Sequence, residues 1–283
     1  MKNIILKKLT EEYKKLNLNY KLPVILGVNE NGKTEFADLA DLKHILMAGT
    51  TGSGKSVFMN TMISTFLTTF STHQLRLFLV DMKRVELLDY NGLPYLLSPV
   101  VVDLKKVSAG LDWLIFEKNR RLRIVAQEES YLEKLPAILV IIDTFSDLIY
   151  SDSVKFQDYL SKLMDQASDV KIHVVMSDSR TGSDVFTPLI RKLFPTKICF
   201  NVSESSYSKL IIGKAGGEKL RGAGDMLFLP PGEKEPKRIQ APYISDDEIN
   251  KLIKSIPPDN ELNKWIKFLR SPKDKSKKDY ENN

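Results

Sequence analysis

Eight residues at 49–56, Gly-Thr-Thr-Gly-Ser-Gly-Lys-Ser, have the types and the spacing that bind phosphate. Glycines allow the backbone to approach phosphate oxygens closely, so that consecutive N–H groups point at negative charge. Lys55 adds a cation for the β- and γ-phosphates, and the Ser56 hydroxyl suits Mg²⁺. The pattern therefore predicts a nucleotide site formed by Gly49, Thr50, Thr51, Gly52, Ser53, Gly54, Lys55 and Ser56.

Asp143 is the second residue with an evident chemical use, because it ends the apolar run AILVIID at 137–143. A carboxylate that follows a buried strand is well placed to hold the Mg²⁺ of a nucleotide bound by a phosphate loop. We therefore expect Ser56 and Asp143 to hold Mg²⁺. The next residue is Thr144, whose hydroxyl cannot act as a base near neutral pH. The apolar run and the residue after it therefore do not indicate which carboxylate would activate the attacking water.

Five apolar runs, most of them separated by helical patterns, must position these residues. Strands that are apolar at nearly every position are buried on both faces, as in a parallel sheet covered by helices. The fold class is therefore α/β, and ligands are expected outside the carboxyl ends of the strands. A β-hairpin is predicted over 23–39 and one long helix over 104–127. The five runs span 44–48, 75–81, 137–143, 172–177 and 196–202.

Composition limits the class of protein further. A chain of 283 residues with 42% hydrophobic content can form one main α/β domain with short flanks. Cys199 is the only cysteine, which excludes disulfide frameworks and cysteine-based zinc sites within one chain. No run approaches the eighteen or so apolar residues of a membrane helix, so we expect a cytoplasmic protein with no membrane segment of its own.

The phosphate loop alone leaves kinases, GTPases, transporters and motors open. The sequence has no N-K-x-D motif for reading a guanine base, which disfavours a GTPase. It also has no arginine-rich lid of the kind that small-molecule kinases use. A net charge of +6 is compatible with a polyanionic partner but is too modest to identify one.

Three stretches resemble the motor domain of the FtsK/SpoIIIE family of DNA translocases. They read KHILMAGTTGSGKSVFMNTMI at 43–63, LFLVDMKRVELLDYNGLPYLLSPVVVDLKK at 77–106, and GAGDMLFLPPGEKEPKRIQAPYISDDEI at 222–249. The similarity extends from about Pro23 to Ile253, and the third stretch is far more specific than a phosphate loop. The resemblance implies a RecA-like P-loop NTPase core that uses ATP and Mg²⁺. It also implies a homo-oligomeric ring, a hexamer, that pumps double-stranded DNA.

The resemblance also implies a division of the chain into three parts. Residues 1–22 would be a helical lead-in, 23–256 the FtsK-like RecA-fold ATPase domain, and 257–283 a basic C-terminal helix and tail. The last part is too short for the winged-helix module of many family members. The sequence therefore resembles the motor alone, as in related proteins of plasmids, phages and conjugative elements, with mobile-element proteins as further partners.

Two strand ends depart from the family pattern. Where the family has Asp-Glu-Phe-Ala-Asp-Leu, Thr144 replaces the glutamate that polarises the attacking water. Where the family has Ala-Thr-Gln-Arg, the chain has Ser-Asp-Ser-Arg, which introduces Asp178 and retains Arg180. One hypothesis is that Asp178 supplies the missing carboxylate from the neighbouring strand. The catalytic set would then be Asp143, Asp178 and Arg180, in a DNA-dependent ATPase.

A second hypothesis is that hydrolysis has been lost. Thr144 and Ser179 would then belong to a non-hydrolysing ATP-binding module that fixes an assembly with another ATPase. The sequence does not decide between the two hypotheses.

DNA contact and subunit contact are also open. The segment MDQASDVK has Gln166 and Ser168 where the resemblance places basic residues, so attraction to phosphate is expected to be weak there. Arg120, Arg121 and Arg123 are candidates for DNA contact, with a solvated helix face or ion pairs between subunits as the alternative. The lysine-rich run at 264–278 is a DNA-facing arm or a solvated tail. The candidates for a cation that crosses a subunit interface are Arg180, Arg191 and Lys209.

Overall fold

The apolar runs are strands in the structure, a computed structural model that describes residues 5–16 and 18–257. The strands are β1 Pro23–Asn29, β2 Thr34–Asp38, β3 Ile45–Ala48, β4 Leu75–Asp81, β5 Ala137–Asp143, β6 Ile172–Asp178, β7 Thr196–Phe200, β8 Asp225–Leu229 and β9 Lys237–Gln240. The helices are α1 Leu6–Leu16, α2 Leu39–Leu42, α3 Lys55–Thr69, α4 Leu104–Gln127, α5 Tyr131–Lys134, α6 Ser146–Met164, α7 Pro188–Leu193, α8 Ser205–Ile212 and α9 Asp246–Ser255. The C-terminal lysine-rich run lies outside the described residues.

The described strands form one mixed sheet in the order β2-β1-β9-β8-β7-β3-β6-β5-β4. Strands β7, β3, β6, β5 and β4 are parallel, which confirms the predicted α/β class. The N-terminal hairpin β1–β2 is also confirmed. The sheet continues as an antiparallel half through β8 and β9, which connect β7 to the hairpin. This antiparallel half was not part of the sequence prediction.

Helices cover the parallel strands on both faces, as their two-sided burial predicts. Leu139 and Ile141 of β5 pack into the same cluster as the apolar side chains of α3. Ile138, Val140 and Ile142 of the same strand pack into a second cluster with α4 and α6. Within the described ranges, none of the helices has both the length and the apolar character needed to cross a bilayer.

Helix α4 is anchored to the sheet by a buried ion pair. Arg121 is only 2% exposed, and its Nε donates to Oε1 of Glu117 at 2.8 Å. Its Nη1 donates to the carbonyl oxygens of Pro136 at 2.8 Å and Val170 at 3.0 Å. Burial opposes ionisation of Glu117, but hydrogen bonds from Arg120 and Arg121 hold its pKa below the usual value. Arg121 is therefore neither a DNA contact nor a solvated residue, which corrects its place among the DNA-facing candidates.

Candidate nucleotide-binding site

The phosphate loop connects β3 to α3 and encloses the cation that the sequence predicts. Lys55, the first residue of α3, is only 7% exposed. Its Nζ donates to the carbonyl oxygens of Gly49 at 2.7 Å and Thr50 at 2.9 Å. Burial lowers the pKa of Lys55, while the negative charges of Asp143 and Asp178 oppose that shift. The site therefore contains a desolvated ammonium group whose present partners are backbone carbonyls of its own loop.

Gly54 allows a second loop to pack directly on the phosphate loop. Its φ is +111°, and a Cβ at this position would lie 2.3 Å from the backbone nitrogen of Gly224. Gly224 donates its N–H to the carbonyl oxygen of Ser53 at 2.8 Å. No side chain fits between Gly54 and the backbone of Gly224, which explains the glycine at 54, while Gly224 has a φ of +90° that favours glycine for a separate reason.

A cavity of about 1090 Å³ opens above the phosphate loop. Within the described part of the chain, the backbone N–H groups of Gly54, Lys55 and Ser56 have no hydrogen-bond acceptor. Free N–H groups at a helix N-terminus together with a buried ammonium fit the charge of a triphosphate. The cavity is lined by Thr51, Gly52, 54–57, Lys83, Val85, Glu86, Asp143, Thr144, Ser179, 221–224 and 240–243.

The structure brings Asp143 and Ser56 to the same cavity, as predicted for a pair that holds Mg²⁺. The Ser177 hydroxyl donates to Oδ1 of Asp143 at 2.9 Å. Burial raises the pKa of Asp143 to about 6, and the negative charges of Asp81 and Glu86 act in the same direction. A buried carboxylate among like charges is stabilised by a bound cation, so the donor set fits a divalent metal ion.

Asp143→Asn is expected to stabilise the nucleotide-free protein at pH 7.5. The pKa of Asp143 in the folded state, about 6, lies above the usual value of 3.8. Its contribution to the stability of the folded state is therefore complete below pH 3.8 and is lost as the pH rises through 6. At pH 7.5 the buried charge costs roughly 3 kcal/mol. Thermal unfolding should show a higher midpoint for Asp143→Asn than for wild type at pH 7.5, and a smaller difference at pH 5. The exposed Asp169→Asn is the control, and equal gains at both pH values would contradict the argument.

Thr144 has an unusual backbone conformation at the edge of this site. Its φ is +57°, which is rare for a β-branched residue and costs about 1–3 kcal/mol. Its N–H donates to the carbonyl oxygen of Ser177 at 2.8 Å, and its Oγ1 lies 3.5 Å from Oδ2 of Asp143. Thr144 lines the cavity, so the position at which the resemblance implies a glutamate faces the nucleotide site.

Asp178 ends β6 and is only 1% exposed. Its Oδ2 accepts the N–H of Ser146, the first residue of α6, at 2.6 Å. Its Oδ1 accepts the N–H of Arg180 at 2.8 Å. Both oxygens therefore hold backbone N–H groups, and Asp178 is absent from the lining of the described cavity. This geometry favours a positioning role for Asp178 over the predicted role of a relocated base.

The candidate interface cations lie away from the cavity lining in the described part of the chain. Arg180 Nη1 lies 3.1 Å from Oδ1 of Asp147, and the guanidinium stacks over the Tyr150 ring at 5.2 Å. Arg191 is on α7 and Lys209 is on α8. Of the predicted set Asp143, Asp178 and Arg180, only Asp143 lines the described cavity, while Arg180 stays joined to Asp178 through its N–H.

Sequence reasoning missed two segments of the site. Residues 221–224 and 240–243 line the cavity on the side of the antiparallel strands. Both lie in the stretch at 222–249 or next to it, whose pattern indicates the family resemblance but does not indicate contact with a nucleotide. The glycines at 222 and 224 were the available signal, since glycines mark close backbone approach.

Comparison with known proteins places this geometry in a family. The model of the FtsK/SpoIIIE family matches residues 6–130. DNA translocase FtsK of Chlamydia trachomatis is 38% identical over 270 residues, which cover 88% of this chain and 34% of that protein. The chain carries an FtsK/SpoIIIE-family domain. DNA translocase SpoIIIE of Bacillus subtilis is 37% identical over 252 residues, with 82% of this chain and 32% of that protein covered. The chain thus spans about a third of the length of these relatives.

Solved structures show the same fold for the FtsK/SpoIIIE-family domain. The pCW3 conjugation coupling protein TcpA, solved with ATPγS, aligns with a TM-score of 0.72 at 24% identity over 85% of this chain and 72% of that chain. The type VII secretion ATPase EccC of Thermomonospora curvata aligns with a TM-score of 0.76 at 18% identity over 93% of this chain and 36% of that chain. These likenesses identify the fold as that of P-loop ATPases.

Proposed function

We propose that the FtsK/SpoIIIE-family domain binds ATP with Mg²⁺ in the cavity above the phosphate loop and hydrolyses it. The observation that carries this proposal is the buried ammonium of Lys55 beside the free N–H groups of Gly54 and Ser56. Together these groups offer a triphosphate one positive charge and several hydrogen-bond donors from a single loop. Ser56 and Asp143 would hold Mg²⁺, which supplies positive charge that neutralises the phosphate oxygens.

The chain's own residues have distinct tasks in this proposal. Lys55 exchanges its carbonyl partners, Gly49 and Thr50, for phosphate oxygens of the bound nucleotide. Segments 221–224 and 240–243 enclose the part of the nucleotide that lies beyond the phosphates. Because Lys55 is only 7% exposed, its contact with the phosphates would be shielded from bulk water, which strengthens that electrostatic contact.

We propose further that hydrolysis drives movement on double-stranded DNA by a homo-oligomeric ring of this chain, as a translocase or coupling motor. Support comes from the FtsK and SpoIIIE relatives, which are named DNA translocases. A cation from a neighbouring copy would complete each site, since Arg180, Arg191 and Lys209 lie away from the described cavity lining. In this proposal, residues 23–256 are the ATPase domain, 1–22 the lead-in and 257–283 a basic tail that contacts DNA.

Thr144 favours one alternative, an ATP-binding assembly module without turnover that works with another ATPase. Thr144 lines the cavity at the position where the resemblance implies a glutamate. Such a module would use the same Lys55 and Asp143 to hold ATP, so binding alone does not distinguish it from the motor.

Duplex DNA is expected to stimulate ATP turnover by the full chain. A motor converts DNA contact into a faster nucleotide cycle, whereas an assembly module gains nothing from DNA. The measurement is phosphate release at saturating ATP with and without a long duplex, together with binding of a fluorescent ATP analogue. Tight binding of the analogue without turnover, with or without duplex, would overturn the motor and support the assembly module. An equal rate of ATP turnover with and without duplex DNA would support an ATPase but contradict the proposed action on DNA.

A further inference from the structure

Glu86 is a carboxylate of the nucleotide cavity that the proposed function has not used. Among the described residues that line the cavity, Asp143 and Glu86 are the only two with carboxylates. Asp143 is committed to the metal ion in the proposed function. Glu86 is therefore the remaining acidic side chain that faces the space in which the phosphates would lie.

The segment that carries Glu86 is rigidly held by a buried aspartate. Asp81 is fully buried at the end of β4 and accepts four backbone N–H groups from the residues that follow it. The N–H of Glu86 is one of these donors, at 2.9 Å from Oδ2 of Asp81. The other three donors are Arg84 at 2.9 Å, Val85 at 2.9 Å and Leu87 at 3.0 Å. These hydrogen bonds fix the backbone from which the Glu86 side chain extends, which limits the positions its carboxylate can reach.

The turn also places Glu86 close to the metal-binding carboxylate. Asp81 and Asp143 are register partners on the neighbouring strands β4 and β5. The negative charge of Glu86 affects groups on two other elements: after burial and Asp81, it is a further cause of the raised pKa of Asp143, and it opposes the lowering of the pKa of Lys55 by burial. Glu86 is therefore within electrostatic reach of both groups.

The carboxylate of Glu86 is free to bind water. Within the described residues it has no hydrogen-bond donor and no ion-pair partner. Lys83, three residues earlier, forms no ion pair with Glu86 in the described structure; its Nζ donates to Oγ of Ser179 at 3.4 Å. An unpaired carboxylate in a cavity, next to a phosphate loop, has the capacity of a general base.

We propose that Glu86 is the catalytic base that takes a proton from the attacking water. The resemblance assigns this task to a glutamate at position 144, where this chain has threonine. This inference rests on the proposed ATP hydrolysis. The water oxygen forms a bond to the γ-phosphorus as the bond from that phosphorus to the bridging oxygen breaks. The electron pair of the broken bond stays on the ADP oxygen. The proton of the water passes to the Glu86 carboxylate and then to solvent.

The test compares Glu86→Gln with wild type in ATP turnover and in binding of a fluorescent ATP analogue. Loss of a positioned base is expected to lower kcat about 10²- to 10⁴-fold, with the affinity for ATP changed only a few-fold. Asp89→Asn, which removes an exposed carboxylate three residues away, is the matched control and should retain wild-type turnover. Glu86→Ala should regain part of its turnover in sodium formate, since a small carboxylate can occupy the space left by the side chain.

The outcomes separate this inference from the proposed function. If Glu86→Gln hydrolyses ATP as fast as wild type, Glu86 is not the base, and the proposed ATP hydrolysis stands. If the wild-type chain binds ATP but does not hydrolyse it, both the role of Glu86 and the proposed hydrolysis are wrong. Should Glu86→Gln lose ATP binding or fold poorly, the formate experiment on Glu86→Ala decides: rescue supports a base, and no response to formate overturns it.

Discussion

Lys55→Ala is expected to reduce ATP turnover by at least about 10²- to 10³-fold and to weaken ATP binding. The Lys55 ammonium is the only cation in the described structure that is both buried and part of the phosphate loop. Two carbonyl oxygens of that loop hold it beside the free N–H groups of the loop, where the proposal places the phosphate charge. Alanine removes both the charge and its anchoring contacts, while α3 keeps a good helix former at its first position.

Two control variants make this result specific. Lys105→Ala removes an exposed lysine near the start of α4 and should leave turnover unchanged. Lys55→Arg keeps the charge but places a planar fork in a closely packed loop, so it should not restore activity. Steady-state phosphate release and binding of the fluorescent analogue would be measured for all variants. Wild-type turnover in Lys55→Ala would show that the phosphate loop does not bind the hydrolysed nucleotide.

Arg121→Ala is expected to destabilise the protein by about 3–5 kcal/mol. The change leaves Glu117 charged, buried and bound only to Arg120. It also removes the donor to the carbonyl oxygens of Pro136 and Val170. These two residues lie just before β5 and β6, so both hydrogen bonds hold α4 against the sheet. The measurement is the free energy of unfolding from urea denaturation, followed by the circular dichroism of the helices.

Arg123→Ala is the matched control on the same helix. Arg123 is exposed, and its one described hydrogen bond joins Nε to the carbonyl oxygen of Asn119 at 3.3 Å. Its removal should change stability by less than about 0.5 kcal/mol. Equal stability of Arg121→Ala and Arg123→Ala, with weaker DNA binding by Arg121→Ala, would restore the hypothesis that Arg121 faces DNA.

The parallel half of the sheet and the phosphate loop were predictable because their signals are local. Strands β4 and β5 are apolar at almost every position, and the loop before α3 has a fixed glycine and lysine spacing. The antiparallel half has weaker signals: β9 reads KRIQ and buries only Ile239. Short strands of this kind depend on their neighbours in the sheet, so pattern alone does not identify them.

The roles of charged residues were the least predictable part. Arg121 is adjacent to Arg120 in a polar stretch, and its burial depends on the distant carbonyls of Pro136 and Val170 as well as on Glu117. Asp178 matched a need for a carboxylate, yet the sequence could not show that both its oxygens are occupied by backbone N–H groups. The place of Glu86 in the cavity follows from the turn after β4, whose hydrogen bonds to Asp81 the sequence does not show.

The contact between Gly54 and Gly224 joins the phosphate loop to the antiparallel half of the sheet. The two backbones meet with no compressible side chain between them, so a shift of one must displace the other. Gly224 is joined in turn to the end of β9, since its carbonyl oxygen accepts the N–H of Ala241 at 2.8 Å. Strand β9 pairs with β1 of the hairpin. In the proposed ATP cycle, loss of the γ-phosphate would therefore displace the N-terminal hairpin, at the far edge of the sheet, through backbone contacts alone.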